Sequence, residues 1–361
     1  MATKMRLSVH LPRIAGSVLA AVVLWSCQET PTEPAASLSR SRAAAGTFTV
    51  VDLGTLGGTY SQAFGINPRG QVVGESSTAG ENADVHAFIW KKGVMIDLGT
   101  LGGGFSKANA INPAGQVVGV SSTASGVQHA FLWEKGVMTD LGTLGGFSEA
   151  TAINPAGQVV GVSSPTSVVP NPFESHAFLW EKAVITDLGT LGGGDFSGAL
   201  GINPRGQVVG YSNTGGDIDA FLWENGVMTA LDTPGDTGSA ANGVNPRGQV
   251  AGDRFTVGES DEDPLEFQAF LWEKGVMTGL GTLGGTGSHA FGINPRGQVV
   301  GVSTTASGVE HAFLWEKGVM TDLGTLAGGF SQANAINPAG QAVGFSITAS
   351  GESHATLWTR K

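Results

Sequence analysis

The chain has 361 residues, of which 57 are glycine, and its formal net charge is −11. Lysine and arginine are few and form no basic stripe along the sequence, which excludes a protein built to follow a phosphate backbone, so we expect no nucleic-acid partner. Apolar residues make up 41% of the chain, enough for a packed core, and glycine at this level goes with frequent turns rather than with disorder.

The first 27 residues have the organisation of an export signal. Lys4, Arg6 and Arg13 precede an apolar run over residues 14–25, which is too short to span a bilayer. The run ends in Leu-Trp-Ser-Cys and is similar to the lipobox of bacterial lipoproteins, whose cysteine is lipidated. Because Cys27 is the only cysteine, it has no disulfide partner. We expect a lipoprotein-type signal peptide over 1–27 with lipidation at Cys27; the alternatives are an ordinary signal peptide cut nearby and an uncleaved anchor.

Residues 28–46 are rich in proline, serine, threonine and alanine and show no apolar period. This composition predicts a flexible linker that spans roughly 25 Å root-mean-square. Together with the lipid anchor it would hold the following domain close to a membrane. The expected location is therefore outside the cytoplasm, as an outer-membrane or cell-surface lipoprotein or an extracellular protein.

Residues 47–361 contain seven copies of one unit. Each copy carries a form of Asp-Leu-Gly-Thr-Leu-Gly-Gly, and these motifs start at residues 52, 97, 140, 187, 230, 279 and 322. Each copy also has four segments of strand composition, typified by Ala-x-x-Ile-Asn, Gln-Val-Val-Gly-x-Ser, His-Ala-Phe-Leu-Trp and Val-Met-Thr-Asp-Leu-Gly. Asn-Pro-Arg/Ala-Gly between the first two predicts a type I turn, and Trp-Glu-Lys-Gly predicts a second tight turn. Glycine and proline recur too often for helix.

These units predict an all-β fold, a seven-bladed β-propeller of four-stranded blades. The two ends of the chain complement each other, because residues 47–54 have the sequence of a fourth strand and the last copy has only the first three. We therefore expect the propeller to be closed by an N-terminal strand that pairs with the C-terminal blade. The alternative is an open solenoid or a β-prism-like array, which would need polar caps at both ends.

The repeats resemble the bacterial extracellular HAF-type repeats, named for the tripeptide seen here at residues 86–88 and 129–131. The resemblance covers residues 52–358, and copies four and five depart from it with Asp219 and Gln268 in the histidine position. It implies an exported repeat protein and supplies no reaction or ligand.

Residues that recur in every copy are best explained by the fold. The seven tryptophans that end the third strands are expected to pack between blades, and the recurrent histidines to make hydrogen bonds within a blade rather than bind a metal. The Gly-rich segments are expected to connect blades. Because no nucleophile elbow, zinc motif or EF-hand spacing occurs, we expect that the chain is not an enzyme.

Function is expected where the copies differ. The position after the recurrent serine of the first strand holds Lys107, Glu149 and His289 in three copies, and the longest loop contains Glu262 and Glu266. These five residues are the candidates for a ligand-binding face of loops. Carboxylates of the same loop are candidates for Ca²⁺, a hard cation that prefers oxygen ligands, namely Glu259, Asp261 and Asp263. No other cofactor is expected.

Two functional classes follow from this reasoning. The first is a cell-surface binding or scaffolding module for a protein or glycan, with the membrane reached through the lipid anchor. The alternative is a carbohydrate-active lyase or hydrolase, which needs two carboxylates, or a carboxylate and a histidine, in one site. Glu149 and His289 are the pair that the sequence nominates for it.

Overall fold

The computed structural model describes residues 48–80, 83–166, 174–215, 217–231, 238–256 and 266–361. All of them belong to one compact unit over 43–361. The expected signal peptide and linker, 1–27 and 28–46, lie outside the described residues. So do Glu259, Asp261, Glu262, Asp263 and the side chain of Glu266. Among the described residues, no helix has the length and hydropathy needed to cross a membrane.

The prediction of an all-β fold is confirmed. Strands β2 to β28 form seven antiparallel units in chain order, and the first strand of each unit pairs with the second, the second with the third and the third with the fourth. The first three units are β2 (Gly57–Ile66), β3 (Val72–Thr78), β4 (Val85–Lys91) and β5 (Val94–Asp97); β6 (Gly102–Ile111), β7 (Val117–Thr123), β8 (Gln128–Glu134) and β9 (Val137–Asp140); β10 (Ser148–Ile153), β11 (Val159–Ser163), β12 (His176–Glu181) and β13 (Val184–Asp187). Units 4 and 5 are β14 (Ser197–Ile202), β15 (Val208–Asn213), β16 (Ile218–Glu224) and β17 (Val227–Ala230); β18 (Gly238–Val244), β19 (Val250–Thr256), β20 (Glu266–Glu273) and β21 (Val276–Gly279). Units 6 and 7 are β22 (Gly284–Ile293), β23 (Val299–Thr305), β24 (Glu310–Glu316) and β25 (Val319–Asp322); β26 (Ala327–Ile336), β27 (Ala342–Thr348) and β28 (Ser353–Arg360).

Unit 7 takes its fourth strand from the N-terminal side of the domain. Strand β1 (Phe48–Asp52) pairs antiparallel with β28, with Phe48 opposite Arg360 and Asp52 opposite Thr356. The register matches that of unit 2, because Thr356 and Asp52 occupy the repeat positions of Phe131 and Asp140, which lie opposite each other there. The pairing expected between the two ends of the repeat region is therefore present.

The Asn-Pro-x-Gly turns form as predicted. In unit 1 the backbone N–H of Gly70 donates to the carbonyl of Asn67 at 3.0 Å, which is the i to i+3 bond of a β-turn. Gly70 has a φ of +74°, a region in which a β-carbon is strained.

The second turn of units 1 to 6 is a two-residue hairpin loop. Lys135 and Gly136 have φ values of 53° and 90°, as a type I′ turn requires. Unit 3 departs from the pattern, because Lys182 is followed by Ala183, whose φ is 64°. A non-glycine residue in this left-handed region costs about 1 kcal/mol or more relative to glycine.

Ala183→Gly should therefore raise the free energy of unfolding, by about 0.5–1 kcal/mol after allowance for the greater freedom of glycine in the unfolded chain. Chemical denaturation followed by tryptophan fluorescence measures the change. The matched control is Gly136→Ala, which places the same strained residue in unit 2 and should lower stability by a similar amount. A loss of stability in Ala183→Gly would contradict this explanation.

The core lies between neighbouring units. One cluster joins Val73 and Ile89 of unit 1 to Ala108 and Phe131 of unit 2, all essentially inaccessible to solvent, and Trp133 packs against it. Equivalent clusters recur along the chain. The recurrent tryptophans thus pack at the contacts between units, as expected.

A second link between units is made by the asparagine that begins each Asn-Pro-x-Gly turn. In unit 4, Oδ1 of Asn203 accepts the N–H groups of Arg205 and Gln207 at 2.9 and 3.1 Å. Its Nδ2 donates to Oε1 of Gln207 at 2.7 Å and to the backbone carbonyl of Asn245, in the next unit, at 3.0 Å. The side chain is 1% exposed and is fully hydrogen-bonded.

These asparagine links run through all seven turns. Each Nδ2 donates to the backbone carbonyl of the next asparagine in the series, and the last donates to the first, at 3.0–3.3 Å: Asn67, Asn112, Asn154, Asn203, Asn245, Asn294 and Asn337. We refer to this series as the asparagine cycle. It connects units 7 and 1 in the same way as any two units adjacent in the chain.

Candidate functional site

The five repeat histidines are used within their own units. Nδ1 of His86 lies 2.7 Å from Oδ2 of Asp97, and Oδ1 of this aspartate accepts the N–H of Gly99 at 2.7 Å. The same His–Asp pair recurs at 2.7–2.8 Å for His129, His176, His311 and His354. Each histidine therefore fixes the start of the Gly-rich connection, and the described residues contain no group of three or more potential metal ligands.

The two units without this histidine also lack its partner. In unit 4, Asp219 stands in the histidine position and Ala230 in the aspartate position, and the carboxylate of Asp219 accepts a hydrogen bond from Thr214 at 3.1 Å. In unit 5, Oε1 of Gln268 accepts a hydrogen bond from Arg254 at 2.8 Å, and Gly279 stands where other units have aspartate. Both replacements bond toward the second strand instead of the fourth.

The position after the recurrent serine lies inside the first strand, opposite one residue of the second strand. It is a strand position in every unit, as the sequence pattern predicted. The seven pairs are Gln62 with Glu75, Lys107 with Val120, Glu149 with Val162, Gly198 with Tyr211, Ala240 with Asp253, His289 with Val302 and Gln332 with Phe345.

Two of the sequence candidates meet in an ion pair. Nζ of Lys107 lies 2.8 Å from Oε1 of Glu149, and the same oxygen accepts a hydrogen bond from Asn109 at 2.9 Å. Lys107 also lies over the ring of Phe64, 5.7 Å from its centroid. Its ammonium thus connects units 1, 2 and 3. Burial would lower the pKa of Lys107, but the charge and hydrogen bond of Glu149 outweigh burial and raise it.

Glu75 adds a second carboxylate to this site. The hydroxyl of Tyr60 donates to Oε1 of Glu75 at 2.6 Å. Burial raises the pKa of Glu75, and the negative charge of Glu149 adds to the increase, while the Tyr60 hydrogen bond and the Lys107 charge oppose it. Burial, followed by the charge of Glu75, also raises the pKa of Tyr60.

Tyr211 occupies in unit 4 the strand position that Glu75 occupies in unit 1, and the charge of Glu149 acts on it. A β-carbon on Gly198 would lie 2.7 Å from its ring and hydroxyl, so the ring needs the space left by this glycine. Burial, with a contribution from Glu149, raises the pKa of Tyr211 to about 12. We call these five residues, Tyr60, Glu75, Lys107, Glu149 and Tyr211, the inner polar cluster.

The raised pKa of Glu75 predicts a pH dependence of stability. Between the unfolded-state pKa and the higher folded-state pKa, the folded chain binds more protons, so its stability falls as pH rises through this window. Glu75→Gln removes the effect and keeps an oxygen for Tyr60. The variant should gain stability over the parent as pH is raised from about 4 to about 8, measured by urea denaturation. Glu181→Gln on the surface corrects for the change in net charge; parallel curves for Glu75→Gln and the parent would contradict the prediction.

His289 belongs to a different group. Its Nδ1 lies 3.5 Å from Oδ2 of Asp253, and its ring lies between Phe267 and Phe291, with centroids at 4.5 and 6.2 Å. Asp253 is buried, and it accepts hydrogen bonds from the N–H of Ala290 at 2.7 Å and from Asn242 at 2.9 Å. These contacts lie in units 5 and 6. The structure therefore gives Glu149 and His289 different partners and does not assemble the pair nominated for catalysis.

Sequence reasoning found Lys107 and Glu149 but missed Glu75, Tyr211 and Asp253. All three occupy one position of the second strand, where other copies have valine or phenylalanine. A comparison of the seven copies at this position would have found them.

No protein-family model and no curated protein matches the sequence. Solved structures do show a likeness. A Pyrococcus horikoshii acylaminoacyl peptidase is similar at 13% identity over 83% of this chain and 51% of that chain, with a TM-score of 0.53. Two others are the β-propeller domain of the Trilobed protease from Pyrococcus furiosus, with an open velcro topology (11% identity, 74% and 99% of the two chains, TM-score 0.42), and TolB from Acinetobacter baumannii (10%, 80% and 80%, TM-score 0.43).

The likeness corrects one expectation. The absence of catalytic motifs led to the prediction that the chain is not an enzyme, and this prediction is wrong as an exclusion, because the similar structures include a peptidase. At 13% identity the likeness shows the fold alone, and this chain spans about half of that peptidase. The chain is all-β, its structural neighbours include a β-propeller domain, and enzymatic activity is not established.

Proposed function

We propose that the domain is a closed seven-bladed β-propeller in which each four-stranded unit is one blade. Two observations support this architecture. Strand β1 supplies the fourth strand of unit 7 in the register of the other units, and the asparagine cycle returns from Asn337 to Asn67. An open array would leave both the last asparagine and the edge of β28 without these partners.

We propose that the domain is a binding module and that its ligand contacts the inner polar cluster. The observation that carries the proposal is that the common fold does not need these residues. Apart from Tyr60, these residues occupy two repeat positions whose side chains vary widely, from glycine, alanine and valine to glutamine, histidine, aspartate and phenylalanine in the other units. Lys107 and Glu149 keep 13% and 10% of their side-chain surface, so the site is partly open to solvent.

The chemistry of the cluster favours a glycan over an apolar ligand. Two carboxylates, one ammonium and two phenols offer both acceptors and donors for sugar hydroxyl groups. Phe64 beside Lys107 adds an apolar ring of the kind that packs on a sugar face. A hydrophobic ligand would leave the buried charges without water or polar partners, at a high cost.

A second candidate function is carbohydrate cleavage at the same cluster. The observation in its favour is the different environment of two nearby carboxylates: Glu75 has a raised pKa, which suits a proton donor, and Glu149 is paired with a cation, which suits a base or nucleophile. This assignment replaces the pair of Glu149 and His289.

The test is a glycan-binding screen with the domain from Gly46 onward, with and without Ca²⁺ because Glu259, Asp261 and Asp263 are predicted ligands. For the glycan that binds, Lys107→Met and Glu149→Gln combined should weaken binding by about tenfold or more. The control is Gln332→Ala, at the same repeat position in unit 7, which should bind as the parent does. Equal binding by all variants would refute the inner polar cluster as the site.

The same samples separate binding from cleavage. Mass spectrometry of the bound glycan after prolonged incubation should show intact glycan if the domain only binds. Cleavage products that disappear in Glu75→Gln, with binding retained, would instead establish the second function. Products that persist in Glu75→Gln would exclude Glu75 as the proton donor.

We further propose that the chain is exported and anchored through a lipid on Cys27, as the sequence of residues 1–27 and the likeness to HAF-type repeats suggest. Labelled fatty acid should be incorporated into the parent protein and not into Cys27→Ala, which should leave the membrane fraction. Label in the Cys27→Ala variant would contradict the proposal.

A further inference from the structure

The positive charges of the domain are gathered at one end of its units. Val72 and Trp90 lie opposite each other in strands β3 and β4, so the Asn-Pro-x-Gly turn and the hairpin between the third and fourth strands emerge at the same end. We call it the tight-turn end. Ten of the fourteen lysines and arginines after residue 46 lie in or beside these turns, and Arg360 and Lys361 lie at the corresponding end of β28; the exceptions are Lys107 and Arg254. The acidic domain therefore has a basic end.

Arginine occupies one particular position at this end. The third residue of the Asn-Pro-x-Gly turn is arginine in four units and alanine in three, and all seven are exposed: Arg69, Arg205, Arg247 and Arg296; Ala114, Ala156 and Ala339. Arg205, Arg247 and Arg296 belong to consecutive units. Their turns are joined by the asparagine cycle, at 3.0 Å from Asn203 to Asn245 and 3.1 Å from Asn245 to Asn294.

Each of these three side chains lies across the next turn. A β-carbon built on Gly340 would lie 2.6 Å from Nη2 of Arg296. On Gly297 and Gly248 it would lie 3.1 Å from Nη2 of Arg247 and of Arg205, respectively. The guanidinium groups thus follow one another along the cycle, each over a glycine that leaves it space. We call these three residues the arginine arc.

The arginine arc has no carboxylate of its own. No ion pair within the described residues includes Arg205, Arg247 or Arg296. In the hairpins of units 5 and 6, Glu273 accepts a hydrogen bond from Gln249 and Glu316 accepts one from Arg360, both at 2.9 Å. Three adjacent guanidinium groups therefore face solvent with their charges uncompensated by a partner.

We propose that the arginine arc binds an acidic polysaccharide through its carboxylate groups. Guanidinium pairs with carboxylate in a planar, two-bonded geometry, and three groups in a row fit a chain that presents several carboxylates better than a single small ion. The site is separate from the inner polar cluster and does not depend on it.

The chain itself supplies the variants for a test. Arg205→Ala, Arg247→Ala and Arg296→Ala combined produce Asn-Pro-Ala-Gly, a turn that three other units already use. The control removes three exposed charges from the hairpins of the same end, as Lys135→Ala, Lys274→Ala and Lys317→Ala combined. Binding of a fluorescent polygalacturonate oligomer is measured by anisotropy, with a neutral glucan oligomer, polyphosphate and anionic lipid vesicles as competitors.

The arc variant should bind polygalacturonate about tenfold or more weakly, the lysine control within about twofold of the parent, and Ala339→Arg, which extends the arc, more tightly. Neutral glucan should not compete. Equal losses in the two triple variants would reduce the interaction to net charge and overturn the site. Stronger competition by vesicles or polyphosphate than by unlabelled polygalacturonate would overturn the polysaccharide. Because Lys107→Met with Glu149→Gln should not change this binding, a failure here is distinct from a failure of the proposed function.

Discussion

Asn203→Ala should lower the free energy of unfolding by about 3–5 kcal/mol, a large part of the stability of a typical domain. The substitution removes four hydrogen bonds from a buried side chain and leaves the N–H groups of Arg205 and Gln207, the Gln207 amide and the Asn245 carbonyl without their partner. Leaving a buried polar group unpaired costs about 1–3 kcal/mol, and partial access of water reduces the sum. Guanidinium denaturation followed by tryptophan fluorescence measures the effect.

The matched control for this prediction is Arg205→Ala, two residues away in the same turn. Its side chain is exposed and alanine occupies this position in three other units, so its stability should stay within about 0.5 kcal/mol of the parent. A loss below about 1 kcal/mol in Asn203→Ala would show that the cycle contributes little to stability.

Removal of strand β1 should have an effect at least as large. A chain that starts at Thr55 lacks the strand that pairs with β28 over five residues. It also loses three apolar side chains. Leu53 is buried and Val51 packs against the hydrophobic cluster between units 7 and 1, and Val50 packs against the cluster between units 6 and 7. Each buried aliphatic side chain contributes roughly 1.5–3 kcal/mol, so we expect a loss above about 5 kcal/mol or aggregation through the exposed edge of β28.

Thermal unfolding of the chain from Thr55 is compared with that of the chain from Gly46, which retains the strand. A synthetic peptide of residues 46–54 added to the shorter chain should restore part of the lost stability, since β28 is still present to pair with it. Equal melting temperatures of the two chains would mean that β1 does not complete unit 7.

The sequence was sufficient for the features that repeat. Glycine and proline at fixed places predicted the turns, and the complementary ends of the repeat region predicted that β1 pairs with β28, because both patterns are local or follow from counting strands. A hydrogen bond of each repeat histidine within its unit was predicted, but its aspartate partner was missed although the copies contain its signal. Asp219 and Gln268 replace histidine in the two units in which Ala230 and Gly279 replace aspartate.

The candidate site was only half visible for a physical reason. Lys107 and Glu149 stood out because one position varied in charge, but their contact depends on how neighbouring units face each other. Glu75 and Tyr211 lie opposite the variable positions Gln62 and Gly198 only when the first two strands of the unit pair in the observed register. This register contains a bulge after Ala63 and after Ala199. A one-residue error in register would place both side chains on the other face of the sheet.

The asparagine cycle has a consequence for how the gene can change. In an open repeat array each unit contacts only its neighbours, so the loss or gain of a copy changes only local contacts. Here the asparagine of the seventh unit must reach the carbonyl of the first at the same 3.0–3.3 Å that separates every other pair. In the closed propeller proposed above, six or eight copies would change the angle between all neighbours at once. A closed arrangement of this kind therefore sets its copy number by a condition on the whole set of units.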